Sequence, residues 1–305
     1  MERAIIALPP PATISERIRR FLFSPFRVKC LIVLRRVKDW LGRFPSPIQL
    51  PYGIWWLGGR GPLDNALSTE GFEKAETNFV QRLLRPGLTV LDIGAHHGLY
   101  TMIASKLVGR TGRVIAFEPS PRERKRLKRH IDVNSCSNVR VASIALGKTT
   151  KRENLYLASD GENWCNSLRP PSVETRSRLV EVQVRPLDDF LAESAISNVD
   201  FIKIDVEGAE LDALAGAKRL LSSNLRPIFL IEVEDRRTNP WGYQAREIVR
   251  FLAVIGYHWF SLTEDGFPHP IASDQEKYDA NLVAVPDERV SEFLKEIAIA
   301  PSSVH

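Results

Sequence analysis

Residues 88–108 constrain this chain more than any other stretch. Leu88 to Ile93 is a short, β-rich apolar run, as a strand buried on both faces requires. From Tyr100 the period changes: Tyr100, Ile103, Ala104, Leu107 and Val108 fall at i, i+3, i+4, i+7 and i+8, one face of a helix. Gly94 and Gly98 lie at the junction, where a missing side chain lets backbone approach a ligand closely. The spacing predicts a strand that ends in a glycine turn and opens a helix. The next apolar run, Val114 to Phe117, ends on Glu118. A carboxylate there can accept hydrogen bonds from both hydroxyls of a ribose, so the segment implies a nucleoside ligand.

The dinucleotide fingerprint G-x-G-x-x-G places a helix N-terminus against a pyrophosphate. Here the pattern is Asp92-x-Gly94-x-x-x-Gly98, without the middle glycine and with an acid before the turn. A carboxylate is a poor neighbour for pyrophosphate and a good one for a cation. S-adenosyl-L-methionine (SAM) carries a sulfonium and an ammonium and no phosphate, which makes it the expected cofactor. A nicotinamide or flavin, or a strand–turn–helix corner with no ligand, are the alternatives.

From Gly87 onward strands and helices alternate, which implies a mostly parallel sheet with right-handed crossovers. Before it, Pro51 to Leu57 reads as a strand, and Ser68 to Leu84 as a helix with Phe72, Ala75, Phe79 and Leu83 on one face. Ser120-Pro121-Arg122-Glu123 is a helix start with an N-cap serine, a proline at the first position and a capping-box glutamate. The basic block that follows, Arg122 to Arg129, reads as a solvated face, because no stacking aromatics interleave with its charges. A third strand is expected over Val139 to Ile144, with Ser143 to Ala145 beside an adenine. Residues 148–190 break the alternation. They hold two half-exposed strands around a polar loop, Ser159 to Arg178, which reads either as a substrate lid or as surface decoration.

The second informative stretch is Val199 to Glu210. A central parallel strand should be apolar, yet Lys203 and Asp205 interrupt this one at a spacing of two and share a face. Burying both is costly unless they pair or meet a ligand. Glu207 follows just past the strand end, and the next strand, Ile228 to Val233, carries Glu232 and Glu234. Several carboxylates therefore converge at the mouth of the sheet, where α/β folds bind ligands.

These residues resemble the FkbM-type methyltransferases, a family of SAM-dependent enzymes. The resemblance is carried by Val90 to Thr101, Ala116 to Pro121, Ala145-Leu146-Gly147 and Asp200 to Glu210, four motifs in the family's order, and covers roughly residues 70–285. It implies a Rossmann-like, seven-stranded class I methyltransferase sheet, mostly parallel with one antiparallel strand and helices on both faces. It implies cofactor contacts from Asp92, Gly94, Gly98 and Glu118, with His96 where many relatives have asparagine and Ala145 by the adenine. It places Lys203, Asp205 and Glu207 near the methyl donor.

Methyl transfer from a sulfonium is an in-line displacement, and a hydroxyl acceptor must also lose its proton. Asp205 and Glu207 are the expected proton acceptors, with Lys203 holding the first ionised; His96 and His97 are weaker candidates. A divalent metal on Asp205, Glu207 and Glu232 is a variant, but no resident metal is expected. Asn239-Pro240-Trp241 follows the fifth strand rather than the fourth, and no Pro-Cys pair is present, so the motifs of base methylation are missing. A small-molecule or glycan acceptor is expected, and nucleic acid is not. Trp164, Trp241 and Tyr243 would suit stacking on a sugar ring. A lipid or polyketide-type acceptor, or a non-catalytic SAM-binding scaffold, are the competing readings.

Charge divides the chain. Residues 1–50 hold ten Lys/Arg against three acids, a net +7, while the whole chain is +5, so the remainder sums to −2. That balance also argues against a nucleic-acid substrate. The expected organisation is a basic extension over 1–66, a catalytic domain over 67–290 and a C-terminal tail over 291–305. Phe21 to Leu34 is apolar but interrupted by Pro25, Arg27 and Lys29, and is shorter than the ~20 residues a bilayer needs. Residues 14–43 are therefore expected to pack on the catalytic domain, or else to touch an anionic membrane surface. Three cysteines at unrelated spacings fit a reducing compartment, and the expected location is cytoplasmic, or peripheral to the inner face of a membrane. The sequence leaves the oligomeric state open.

Overall fold

The computed structural model describes residues 25–26, 28–31, 33, 47–50, 52–58, 67, 72–158, 166–170 and 177–299. The central strands are β3 (Thr89–Ile93), β4 (Arg113–Phe117), β5 (Val139–Ala142), β9 (Phe201–Ile204), β10 (Ile228–Glu234), β11 (Tyr257–Leu262), β12 (Pro268–Ile271) and β13 (Asp279–Pro286). They form one sheet in the order β12-β11-β13-β10-β9-β3-β4-β5. Pairings from β5 to β10 are parallel; β13 runs antiparallel to β10 and β11, and β12 antiparallel to β11.

The expected seven strands are present, and an eighth joins them at the edge, so two strands rather than one run against the rest. The eighth, β12, returns from β11 through a turn at Thr263–Phe267, closed by the Gly266 N–H to the Thr263 carbonyl. Pro268 and Pro270 mark it down as a strand in sequence, but an edge strand tolerates proline, which lacks the ladder donor.

Alternation along the strands divides the core. Leu91, Ile93, Ile115, Phe117, Ile202, Ile204, Phe229 and Ile231 pack on one face, while Val90, Val114, Ala116, Phe201, Ile228 and Leu230 pack on the other. Both faces are covered, as a parallel sheet requires. Helices α1 (Lys74–Leu83), α2 (Leu99–Val108) and α9 (Val290–Ile299) contribute Phe79, Ile103, Phe293 and Ile297 to the second face. Helix α1 thus begins at Lys74, and the expected start over 68–71 lies outside the described residues. The stretch expected as a tail is helical as far as Ile299.

A hairpin of β1 (Pro47–Gln49) and β2 (Trp55–Leu57) lies against α3 (Pro121–Asn134), through Trp55 N–H to Asn134 and Leu57 N–H to His130. The expected N-cap is present: Ser120 accepts from the Glu123 N–H. The basic block of α3 is only partly solvated. Arg122 reaches the Ala158 carbonyl, Arg124 those of Glu118 and Pro119, and Arg126 that of Leu57. Of the basic extension, Val28 is buried with Trp55 and Val133 while Phe26 is exposed; most of residues 14–43 lies outside the described residues. No helix among the described residues is long and apolar enough to cross a membrane.

The third strand leaves the sheet at Ser143, two residues earlier than expected. The chain then adds β6 (Ala145–Leu146), β7 (Lys151–Ala158) and β8 (Ser177–Arg185), a separate three-stranded sheet in the order β6-β8-β7. Of the expected lid, residues 166–170 and the start of β8 at 177–178 are described; Trp164 is outside them.

Candidate functional site

The C-terminal ends of β3, β4, β9 and β10 open into one cleft of about 390 Å3, within the range of small-molecule sites. All nine expected residues line it: Asp92, Gly94, His96, Gly98, Glu118, Ala145, Lys203, Asp205 and Glu207.

The turn after β3 is fixed by the chain itself. Gly94 takes φ +84, and a Cβ there would lie 1.8 Å from the Asp205 carbonyl oxygen. Its glycine is therefore required where two strand ends meet, not only for room toward a ligand. His96 takes φ +49, the left-handed region in which asparagine, aspartate and histidine are enriched among the non-glycine residues. That bend aims the His96 N–H at Glu118 Oε2, 2.7 Å away. The Ser120 N–H donates to Glu118 Oε1 at 2.7 Å. Glu118 is thus clamped by two backbone donors with one acceptor site left on each oxygen. Burial nonetheless pushes its carboxyl up to about 8.

His96 and His97 stack at 3.7 Å, and burial lowers both, His96 to about 4. His97 is buried, with its ring near Trp56, which stacks on His130. Both imidazoles are neutral at pH 7. His96, His97 and Glu123 also bring three ligand-type atoms within 4.8 Å of one another. Both Glu123 oxygens are already engaged, one by Arg122 and one by the Ser120 hydroxyl.

Asp92 and Lys203 are register partners across β3 and β9 and share the same sheet face. The Thr101 hydroxyl donates to Asp92 Oδ2, while Asp92 Oδ1 is buried with no hydrogen-bond partner. Burial raises the Asp92 carboxyl. Lys203 Nζ lies 2.6 Å from Asp205 Oδ2, with side-chain exposures of 8% and 27%. Burial alone would lower the lysine; Asp205, Glu73 and Asp92 overcome it and raise it. Burial likewise opposes ionisation of Asp205, and Lys203 reverses that, holding it below the usual carboxylate range.

Glu207 is a different kind of acid. It sits at φ +56, with Oε2 2.7 Å from Arg237 Nη1. Burial pushes it up to about 8 in spite of that arginine, and Glu232 is raised well above the ordinary value. Arg237 also faces Glu232 at 3.8 Å and Glu234 at 3.5 Å, so one guanidinium serves three carboxylates. Sequence reasoning brought the acids together and missed the arginine, which follows the strand end on α7 (Asp235–Thr238). It also missed Glu73, which reaches the cleft from outside the sheet.

Two of the three aromatics expected for sugar stacking, Trp241 and Tyr243, serve another purpose. Trp241 Nε1 donates to the Glu207 carbonyl at 3.1 Å and the Tyr243 hydroxyl to the Gly208 carbonyl at 2.7 Å. They brace the turn that carries Glu207. Neither lines the cleft, whose lining also includes Asn166, Ser167, Arg236 and Arg237.

SAM fits these residues. The cleft wall carries more carboxylates than cations, buried carboxyl oxygens without a donor at Asp92 and Glu232, and a clamped carboxylate at Glu118 suited to a ribose.

Comparison with known proteins agrees. The Methyltransferase FkbM domain family matches residues 92–259, more than half of the chain. The chain is 27% identical over 208 residues to the AMB antimetabolite synthetase AmbE of Pseudomonas aeruginosa, covering 57% of this chain and 10% of that protein. It is 26% identical over 161 residues to the 2-O-methyltransferase NoeI of Sinorhizobium fredii, covering 49% of this chain and 65% of that protein. The matched segment is thus less than two thirds of either relative. Among solved structures, a methyltransferase FkbM from Methylobacillus flagellatus KT aligns over 67% of this chain and 45% of its own, with 24% identity and a TM-score of 0.41.

Proposed function

The chain belongs to the FkbM methyltransferase family, whose cofactor is SAM, and from that premise we propose that it transfers a methyl group to a hydroxyl of a small molecule or glycan. The reading is carried by one observation: two differently tuned acids, Asp205 and Glu207, stand two residues apart at the mouth of the same strand.

Bound SAM supplies an electrophilic methyl on a sulfonium. The chain's own residues then divide the work. Glu118, held by the His96 and Ser120 N–H groups, accepts from the ribose hydroxyls. Asp205, kept ionised by Lys203, supplies fixed negative charge on the cleft wall. A group held so acidic is a weak base, so proton removal from the acceptor falls to Glu207. Its carboxyl, pushed up to about 8 by burial, is the stronger base of the two, and it takes the acceptor's proton in its ionised form, which grows as the pH rises toward 8. Arg237 and the braced 207–208 turn fix its position. Asn166, whose Nδ2 is buried without a partner, and Arg236 line the cleft and offer hydrogen bonds to a hydroxyl-rich acceptor, which favours a glycan.

The test is incubation of methyl-labelled SAM with extracts, followed by mass spectrometry. A gain of one methyl on a hydroxylated metabolite or glycan is the expected result. Label found only on nucleic acid, or no transfer at all, would overturn the proposal.

A further inference from the structure

We propose that Glu73 binds the ammonium group at the amino-acid end of the cofactor; this rests on the SAM reading above and adds a residue to it. Glu73 is the N-cap of α1 and takes φ +44 there. It lines the cleft, and its Oε2 accepts from the Tyr100 hydroxyl at 2.7 Å. The Tyr100 ring in turn lies 4.8 Å from Lys203 Nζ.

Lys203 thus sits among three carboxylates, Asp205, Glu73 and Asp92, whose charges all act on it. One ammonium cannot neutralise three acids. Asp205 takes the lysine directly, and Asp92 keeps a buried oxygen with no donor. Glu73 is the acid of this group that comes from outside the sheet, and its carboxylate exceeds what one tyrosine hydroxyl can satisfy. This end of the cleft therefore offers negative charge and acceptors without matching donors. A primary ammonium brings one positive charge and three N–H donors, the complement of that arrangement. Burial lifts the Glu73 carboxyl to about 7, so an arriving cation would also restore its ionised form.

Calorimetry with three probes separates this role from a structural one. SAM and S-adenosylhomocysteine both keep the ammonium; 5′-methylthioadenosine keeps the nucleoside and loses the amino-acid end. Glu73→Gln is expected to weaken SAM and S-adenosylhomocysteine about 10- to 100-fold, the range for a charged hydrogen bond. Binding of 5′-methylthioadenosine should stay within about twofold, since it never meets Glu73. Tyr100→Phe, which removes only the hydroxyl that orients Glu73, should give the same selective pattern at about three- to tenfold. It carries the test if the glutamine variant does not fold. Equal losses for all three probes, or unchanged SAM affinity in both variants, would overturn the assignment of Glu73. A wild-type protein that binds none of the three would instead overturn the cofactor reading itself, and Glu73 with it.

Discussion

Replacing Asp205 by asparagine separates the charge of the Lys203–Asp205 pair from its shape. The side chains keep their volume, and the amide oxygen can still accept from Lys203, now 2.6 Å from a carboxylate oxygen. What disappears is the negative charge facing a lysine that is 8% exposed. Breaking a buried pair by removing one partner costs about 3–5 kcal/mol when the remaining charge is left uncompensated. Here Glu73 and Asp92 also act on Lys203, so the cost belongs at the lower end, about 3 kcal/mol. For a domain of this size that is a fall in Tm of roughly 6–12 °C. Differential scanning calorimetry reads it, and the cycle with Lys203→Met isolates the pair. Because Asp205 is assigned to the reaction rather than to cofactor binding, SAM affinity should change by less than about fivefold while methyl transfer is lost. An unchanged Tm would refute the account of the pair. Full methyl transfer by the variant would remove Asp205 from the chemistry.

The remaining expectations concern the turn, the ribose acid and pH. Gly94→Ala forces a side chain into the Asp205 carbonyl at positive φ, and should cost about 3 kcal/mol or more or abolish soluble expression, read by thermal melting. Glu118→Gln can accept through one oxygen only, so either the His96 or the Ser120 N–H loses its partner; SAM affinity by calorimetry should fall at least about tenfold. Glu118 and Glu207, both raised to about 8, bind more protons folded than unfolded, so their stabilisation is complete below the ordinary carboxylate range and fades as pH rises toward 8. His96 and His97, lowered by burial, act in the opposite sense only below about 6.5. Ligand-free protein should therefore lose stability to urea between pH 7 and 8.5; a rise over that window would contradict the assigned shifts.

What the sequence shows of this site is what local pattern can encode. The strand, glycine turn and helix over 88–108 are legible because period and composition change within a few residues. Lys203 is legible because a charge inside an apolar strand must meet a partner or a ligand, and Glu118 and Asp205 because each is an acid that directly follows such a strand. Arg237 gave no such signal, since an arginine after a strand end is ordinary until three carboxylates are found around it. Glu73 was hidden for a similar reason: it precedes a helix and reaches the cleft through a hydrogen bond to Tyr100, 27 positions away. Trp241 and Tyr243 misled because an aromatic in a loop reads alike whether it faces a ligand or supports a turn. The edge strand β12 was lost to its own prolines.

The central claim is that this cleft holds a cationic, phosphate-free nucleoside. A crystal structure with SAM tests it most directly. The expected density has the ribose hydroxyls on Glu118 and the ammonium of the amino-acid end beside Glu73 and Asp92. Density with the nucleoside elsewhere, or with Glu118 and Asp92 turned away from it, would contradict the account.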